Sequence, residues 1–271
     1  MSMRRPLKSL GQNFLVDRNI IERIIACAAL GPDDAVLEIG PGRGALTEHL
    51  VRRAGRVVLV EFDHALAAEL HNRYADDARV TVVDGDVLAI DLAALLGGIR
   101  EKGWKVVANL PYNISTPVLF RLMELRGLLS RMLLMLQREV GERLVASPGC
   151  ADYGVTTLLL GLWFDMRREI IVSPGCFHPR PKIDSAVLSF VTRLEPRAEV
   201  GDEELFRRLV KAAFGQRRKT LANCLKNAEL LAAEQVPPLL ESCGIDGRRR
   251  GETLTIDEFA ALSRELTRLR L

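Results

Sequence analysis

Asn109, Leu110, Pro111 and Tyr112 stand in a row, followed by Asn113 and Ile114. The run closes the apolar segment Lys105 to Ala108, so it reads as the end of a strand turning into a loop. Its residue types suit an aromatic amine held for alkylation. The exocyclic amine of adenine is a poor nucleophile, because its lone pair is delocalised into the ring. Two acceptors, the Asn109 side-chain oxygen and the Leu110 carbonyl, could hold the two amine hydrogens. That would favour a pyramidal nitrogen and aim its lone pair. Pro111 would fix the turn that directs the carbonyl, and Tyr112 could stack on the base. No strong general base is required, since the nitrogen turns acidic only after alkylation. The catalysis such a loop offers is positioning plus electrostatics.

A second constellation precedes it. Glu38-Ile39-Gly40-Pro41-Gly42-Arg43-Gly44 follows the apolar run from Ala35. Glycines there allow a tight turn and close approach of a ligand to the main chain. The loop is ambiguous, because Gly40, Gly42 and Ala45 also satisfy the dinucleotide pattern G-x-G-x-x-G/A. Glu61 ends the next apolar run and could accept both hydroxyls of an adenosine ribose, which nicotinamide dinucleotides and S-adenosylmethionine share. Asp86, in Val83-Asp84-Gly85-Asp86, could accept from an adenine amine, with Asp84 as its competitor.

These residues need a scaffold that brings strand ends together. Strand-like segments at Ala35 to Ile39, Arg56 to Val60, Val80 to Val83, Lys105 to Ala108 and Met132 to Leu136 alternate with helical stretches. Such alternation predicts an α/β fold with a parallel sheet covered on both faces. A first helix is expected from Asp17, its cap, to Leu30. Glu169 to Val172 and Ala186 to Val191 are joined by the proline-rich stretch Ser173 to Pro181. That leaves no room for a crossover helix and predicts an antiparallel hairpin at the sheet edge. From Asp202 the chain is helical and charged, so a boundary is expected near Glu195-Pro196.

Composition sets limits. The chain has 271 residues, 48% of them hydrophobic, and a net charge of +3. A sizeable core can be buried, and the charge total alone does not announce a nucleic-acid partner. The five cysteines, Cys27, Cys150, Cys176, Cys224 and Cys243, form no C-x-x-C pair and read as free thiols. His49, His64, His71 and His178 show no metal spacing, and no metal is expected. With no signal-like or membrane-spanning run, a soluble cytoplasmic monomer is expected.

Gly11-Gln12-Asn13-Phe14-Leu15, the Glu38 to Gly44 loop, Asn109 to Ile114, Phe177-His178-Pro179-Arg180-Pro181-Lys182-Ile183-Asp184-Ser185-Ala186 and Gln216-Arg217-Arg218-Lys219-Thr220 together resemble the small-subunit ribosomal RNA adenine dimethyltransferase family. The likeness runs from about Lys8 to the C-terminus. Arg43 and Gly44 stand where relatives vary. The resemblance implies a Rossmann-like class I methyltransferase with a seven-stranded, mostly parallel sheet. Residues 1–195 would form the S-adenosylmethionine-binding catalytic domain. Residues 196–271 would form a small all-α domain contributing to rRNA binding. The implied reaction dimethylates N6 of two adjacent adenines in a hairpin near the 3′ end of 16S rRNA. The implied partner is that rRNA within the immature small ribosomal subunit, where the family also acts as a late assembly checkpoint. By motif position, Asn13, Leu15, Gly40, Glu61, Asp86 and Asn109 would contact the cofactor. Asn109 to Tyr112 and Phe177 would hold the base.

On the residues themselves, Phe177 reads equally as a partner for Tyr112 across a flipped base and as a core anchor for the hairpin. Arg217, Arg218 and Lys219, with Arg248 in Arg248-Arg249-Arg250, are the candidate RNA contacts, and Arg4, Arg5 and Lys8 form a second basic group. Any one such cluster also reads as a solvated helix face. Three rival readings stay open: a macrolide-resistance enzyme acting on 23S rRNA, an NAD-dependent oxidoreductase and a non-catalytic assembly factor.

Overall fold

The structure is a computed structural model, which describes residues 12–97, 102–216, 218–228 and 230–270. The described residues fall into two compact units. One comprises the chain up to Gly141 with Asp165–Thr192, and the other comprises Glu142–Phe164 with Arg193–Leu271. Against the boundary expected near Glu195-Pro196, residues 142–164 thus group with the C-terminal segment.

The first unit opens with β1 (Phe14–Leu15), α1 (Arg18–Ala28), β2 (Ala35–Ile39), α2 (Thr47–Arg53), β3 (Arg56–Glu61) and α3 (His64–Arg73). Then come β4 (Val80–Asp84), α4 (Leu92–Leu96), β5 (Trp104–Asn109), α5 (Ser115–Glu124), β6 (Leu129–Gln137) and α6 (Arg138–Leu144). After α7 (Val155–Gly161) it is completed by β7 (Phe164–Val172), β8 (Phe177–His178) and β9 (Ser185–Thr192). The seven-stranded sheet has the order β4-β3-β2-β5-β6-β9-β7. Pairing is parallel from β4 through β6, whereas β9 runs antiparallel to β6 with Gln137 opposite Ser185. The expected edge hairpin is therefore present as neighbouring strands, with β9 inserted beside β6 and β7 outermost.

The sequence explains this arrangement. All five residues of β2 are buried, as expected of a parallel strand covered on both faces. Asp17 caps α1 by accepting from Ile20 N at 3.0 Å. The buried stripe Ile20, Ile21, Ile24 and Ile25 joins a core with Val36, Val57, Val107 and Leu133. β7 begins five residues earlier than expected, at Phe164. Arg167, Arg168 and Glu169 break its apolar pattern, a common trait of edge strands. The two-residue strands β1 and β8, which pair antiparallel with Leu15 opposite Phe177, are too short to show any periodicity.

The second unit contains α7 and the helices α8 (Glu203–Phe214), α9 (Leu221–Lys226), α10 (Val236–Ser242) and α11 (Ile256–Arg268). Each long helix carries its own start signal. Asp202 caps α8, and Thr255 forms a capping box with Glu258 at α11. Phe214 stacks on Phe259 with centroids 6.1 Å apart. α7 was not expected from sequence, since Leu158 to Leu160 is a short apolar run with no helical period. Among the described residues, no helix is long and apolar enough to cross a membrane.

Ile24, only 2% exposed, sits at the centre of the α1 stripe. Ile24→Ala should lower unfolding stability by about 2–5 kcal/mol, read from urea midpoints at constant slope.

Candidate active site

The carboxyl ends of β2, β3, β4 and β5 open onto one cleft. One part is lined by Gln12, Asn13, Leu15, Glu38, Glu61 and Asn109, among others. The adjoining part is a cavity of about 300 Å³ whose lining includes Phe62, Asp86, Asn113 and Ile114. Gln12, Gly40, Glu61 and Pro111 line both. Asn13, Leu15, Gly40, Glu61, Asp86, Asn109, Leu110, Pro111 and Tyr112 are thus brought together.

Gly40 and Gly42 adopt φ of 65° and 58°, in the left-handed region. A Cβ on Gly42 would lie 2.9 Å from the Phe14 ring, so only glycine lets β1 pack over the loop. Gly42 N donates to Glu61 Oε2 at 2.8 Å, and Asp63 N donates to Oε1 at 2.9 Å. Each Glu61 oxygen keeps lone-pair capacity for a ligand hydroxyl. Burial raises the Glu61 pKa, partly offset by these main-chain donors.

Asp84 and Asp86 take different roles. Asp84 is paired with His64 Nδ1 at 2.6 Å. Asp86 faces the cleft, where its Oδ1 accepts from Leu88 N at 2.9 Å, and no described residue donates to its Oδ2. A base amine has an acceptor there.

Glu38 is a site residue that the sequence reading passed over. It is 2% exposed, lines the cleft and accepts from Thr47 Oγ1 at 2.7 Å. Burial, above all, pushes its carboxyl up to about 8 from 4.5, with nearby Glu61 adding to the effect. No described basic side chain pairs with Glu38 or Glu61. Two buried acids with no basic partner of their own suit a positively charged ligand, and Arg43, stacked over Phe14, also lines the cleft. Gly42 N is moreover already committed to Glu61. Phe62 was also missed; it is 54% exposed at the cavity lip and offers an apolar face to a planar base. Its only sequence signal is its place directly after Glu61.

The loop after β5 is pinned from several sides. Asn109 Nδ2 donates to the Asn13 carbonyl at 3.0 Å, which fixes the amide and turns Oδ1 away from that partner. Leu110 N donates to the Met135 carbonyl at 3.2 Å. Neither Asn109 Oδ1 nor the Leu110 carbonyl accepts a hydrogen bond from any described residue. Both residues line the cleft, and neither acceptor is occupied by another part of the described protein. The Tyr112 hydroxyl meets Ser185 Oγ at 2.6 Å, and burial raises its pKa.

Phe177 is not brought to the cleft lining. At 4% exposure it lies in the core cluster with Leu15 and Cys176, anchoring β8 against β1.

Of the candidate RNA contacts, Arg217 lies outside the described residues, as do Arg4, Arg5 and Lys8. Arg218 and Lys219 are exposed in the second unit, with no described side-chain partner. Arg248 is exposed but chelates Asp246, with Nε and Nη2 at 3.1 and 3.0 Å. Its neighbours are also paired, Arg249 with Glu258 and Arg250 with Glu252. The basic triplet is therefore largely neutralised by its own helical unit.

A sheet of this order, with a glycine loop beside Glu38 and Glu61 and the Asn109–Tyr112 loop at its carboxyl edge, defines a class I methyltransferase. The family model for ribosomal RNA adenine dimethylase matches residues 3–268, and the chain belongs to that family. It is 58% identical to the ribosomal RNA small subunit methyltransferase A of Geobacter metallireducens, covering 98% of this chain and 97% of the relative. The crystal structure of a dimethyladenosine transferase from Plasmodium falciparum superposes with a TM-score of 0.81 at 26% identity, covering 95% of this chain and 98% of that one. The 23S rRNA methyltransferase ErmE superposes with a TM-score of 0.70 at 26% identity, over 94% and 99%.

The raised Glu38 carboxyl has a testable consequence. Folding favours its protonated form, so its contribution to stability is fully present below 4.5 and is lost as pH rises through about 8. Glu38→Gln should give a flatter stability–pH curve than the wild type across that window, measured by urea unfolding; parallel curves would place the ionisation elsewhere.

Proposed function

We propose that the chain uses S-adenosylmethionine to dimethylate N6 of two adjacent adenines in a hairpin near the 3′ end of 16S rRNA. Its substrate on this reading is the maturing small ribosomal subunit in the cytoplasm. The observation that carries the chemistry is the pair of open acceptors, Asn109 Oδ1 and the Leu110 carbonyl, beside Tyr112. The small-subunit substrate is supported by the 58% identity to a relative of that name. The likeness to the 23S enzyme is much more remote. The commitment of Gly42 N to Glu61, with Glu38 buried behind it, speaks against a dinucleotide cofactor.

S-adenosylmethionine bound in the cleft would supply an electrophilic methyl group on a cationic sulfur. Glu61 would accept from the ribose hydroxyls, Asp86 from the adenine amine, and Asn13, Leu15 and Gly40 would line its path. Glu38 would favour the positive charge of the ligand as its carboxylate, so binding would release a proton from a group otherwise protonated at neutral pH. Asn109 Oδ1 and the Leu110 carbonyl would hold the substrate amine hydrogens, with Pro111 stiffening the turn and Tyr112 supporting the base. Phe177 would shape the base pocket through the β1–β8 strap. Arg218 and Lys219, with Arg217, would contact RNA phosphates, and Arg248 could join by exchanging Asp246 for a phosphate.

Removing the Asn109 acceptor should reveal its role. Asn109→Ala should cut methyl transfer to unmethylated 30S particles by about 10²–10³-fold, the range for one preorganised hydrogen-bonding group, while particle binding persists. Transfer to 23S RNA alone by the wild type would overturn the substrate assignment. A wild type that binds particles but transfers nothing would favour an assembly factor. Glu61→Ala should weaken cofactor affinity by roughly 1.5–3 kcal/mol by calorimetry; an unchanged Kd would refute the ribose role.

A further inference from the structure

Tyr112 and Ser185 are each other's sole hydroxyl partner among the described residues, at 2.6 Å. They sit 73 residues apart in sequence and on very different supports. Tyr112 lies on a loop. Ser185 is 0% exposed at the first position of β9, opposite Gln137 in the ladder. Its neighbour Asp184 is tied to Arg138 twice, through the Arg138 N–H to the Asp184 carbonyl at 3.0 Å and through the guanidinium to Oδ2 at 3.2 Å. The tyrosine ring is thus held at its backbone end by the loop and at its hydroxyl end by a strand inside the sheet. With both ends fixed, the ring cannot swing away from the loop about χ1, so its position beside the cleft is held.

The need for such a support differs between two successive transfers to one nitrogen. The unmodified amine offers a hydrogen to each of Asn109 Oδ1 and the Leu110 carbonyl. In each transfer the nitrogen lone pair forms a bond to the methyl carbon. The sulfur–carbon bond breaks, its electron pair stays on a now neutral thioether, and the nitrogen loses one proton to water. After the first transfer a single N–H remains, and one acceptor has lost its hydrogen. Orientation of the base then depends more on the surface under its ring than on its amine.

We propose that Ser185 is a positioning residue that locks the Tyr112 ring as that surface, and that it governs the partition between mono- and dimethylated adenine. The inference rests on the adenine-dimethylation reading above.

The test is single-turnover methylation of unmethylated small-subunit particles by the full chain. Digested nucleosides are separated by mass to give the ratio of N6-methyladenosine to N6,N6-dimethyladenosine. Ser185→Ala should raise that ratio about five-fold or more, the scale of one neutral hydrogen bond. Cofactor affinity should stay near the wild-type value. Tyr112→Phe, which removes the other half of the pair without touching the packing of β9, should give the same shift. Ser185→Thr, which keeps the hydroxyl, should return the ratio toward wild type. A wild-type ratio in both Ser185→Ala and Tyr112→Phe would overturn the proposal. So would an equal fall of both transfers that matches a loss of folded protein and is not rescued by threonine. If the wild type itself makes no dimethyladenosine, the underlying functional reading fails instead.

Discussion

Parallel pairing of β4, β3, β2 and β5 forces four carboxyl ends onto one edge of the sheet. Every group with a chemical role in the cleft depends on that constraint. Glu38 and Gly40 leave β2, Glu61 closes β3, Asp86 follows β4 and Asn109 closes β5. Apart from Glu38 and Gly40, which share one strand end, these residues lie far apart in sequence. The ladder hydrogen bonds set their mutual spacing, and the buried apolar faces of the strands hold the ladder in register. The β1 end of the β1–β8 pair then borders the cleft through Phe14 and Leu15, beside Asn13, whose carbonyl accepts from the Asn109 amide.

Electrostatics completes the selection that geometry begins. A glycine loop alone would accept a phosphate as readily as a sulfonium. Here one loop N–H is spent on Glu61, and a second carboxyl, Glu38, lies buried behind it. Two buried acids that have no basic partner among the described residues favour a cation beside them. The same burial that makes Glu38 costly to ionise makes its carboxylate a strong partner for positive charge.

Most of the sheet was legible because period and composition state it directly. β2 has the bounds expected, and β3 to β6 differ by one to three residues at their ends. What was not legible has physical causes. β1 and β8 are too short for a pattern, α7 begins in an apolar run without one, and the charged start of β7 hides an edge strand. In the site, residues next to recognisable turns were found, whereas Glu38 and Phe62 matter through burial and exposure that sequence does not display. Asp84 and Asp86 looked alike until His64 was seen to occupy Asp84. Phe177 was balanced between base pocket and core, and its 4% exposure places it in the core. The Arg248 triplet looked like free positive charge because its acidic partners come from a tight turn and from a separate helix.

The long separations between the Asn109–Tyr112 loop and its supports bear on how the protein is made. Asn109 is held by a carbonyl 96 residues earlier and Tyr112 by a hydroxyl 73 residues later. A nascent chain that has emerged as far as β6 already carries the glycine loop and the Asn109–Tyr112 loop, yet lacks the strand whose Ser185 meets the tyrosine hydroxyl. Closing such distant contacts is slow and comes late in folding. The Tyr112–Ser185 contact therefore forms only once β9 has been made and has paired with β6. The order of synthesis makes it the last of the loop's supports to close, after the Asn13 and Met135 carbonyls that hold Asn109 and Leu110.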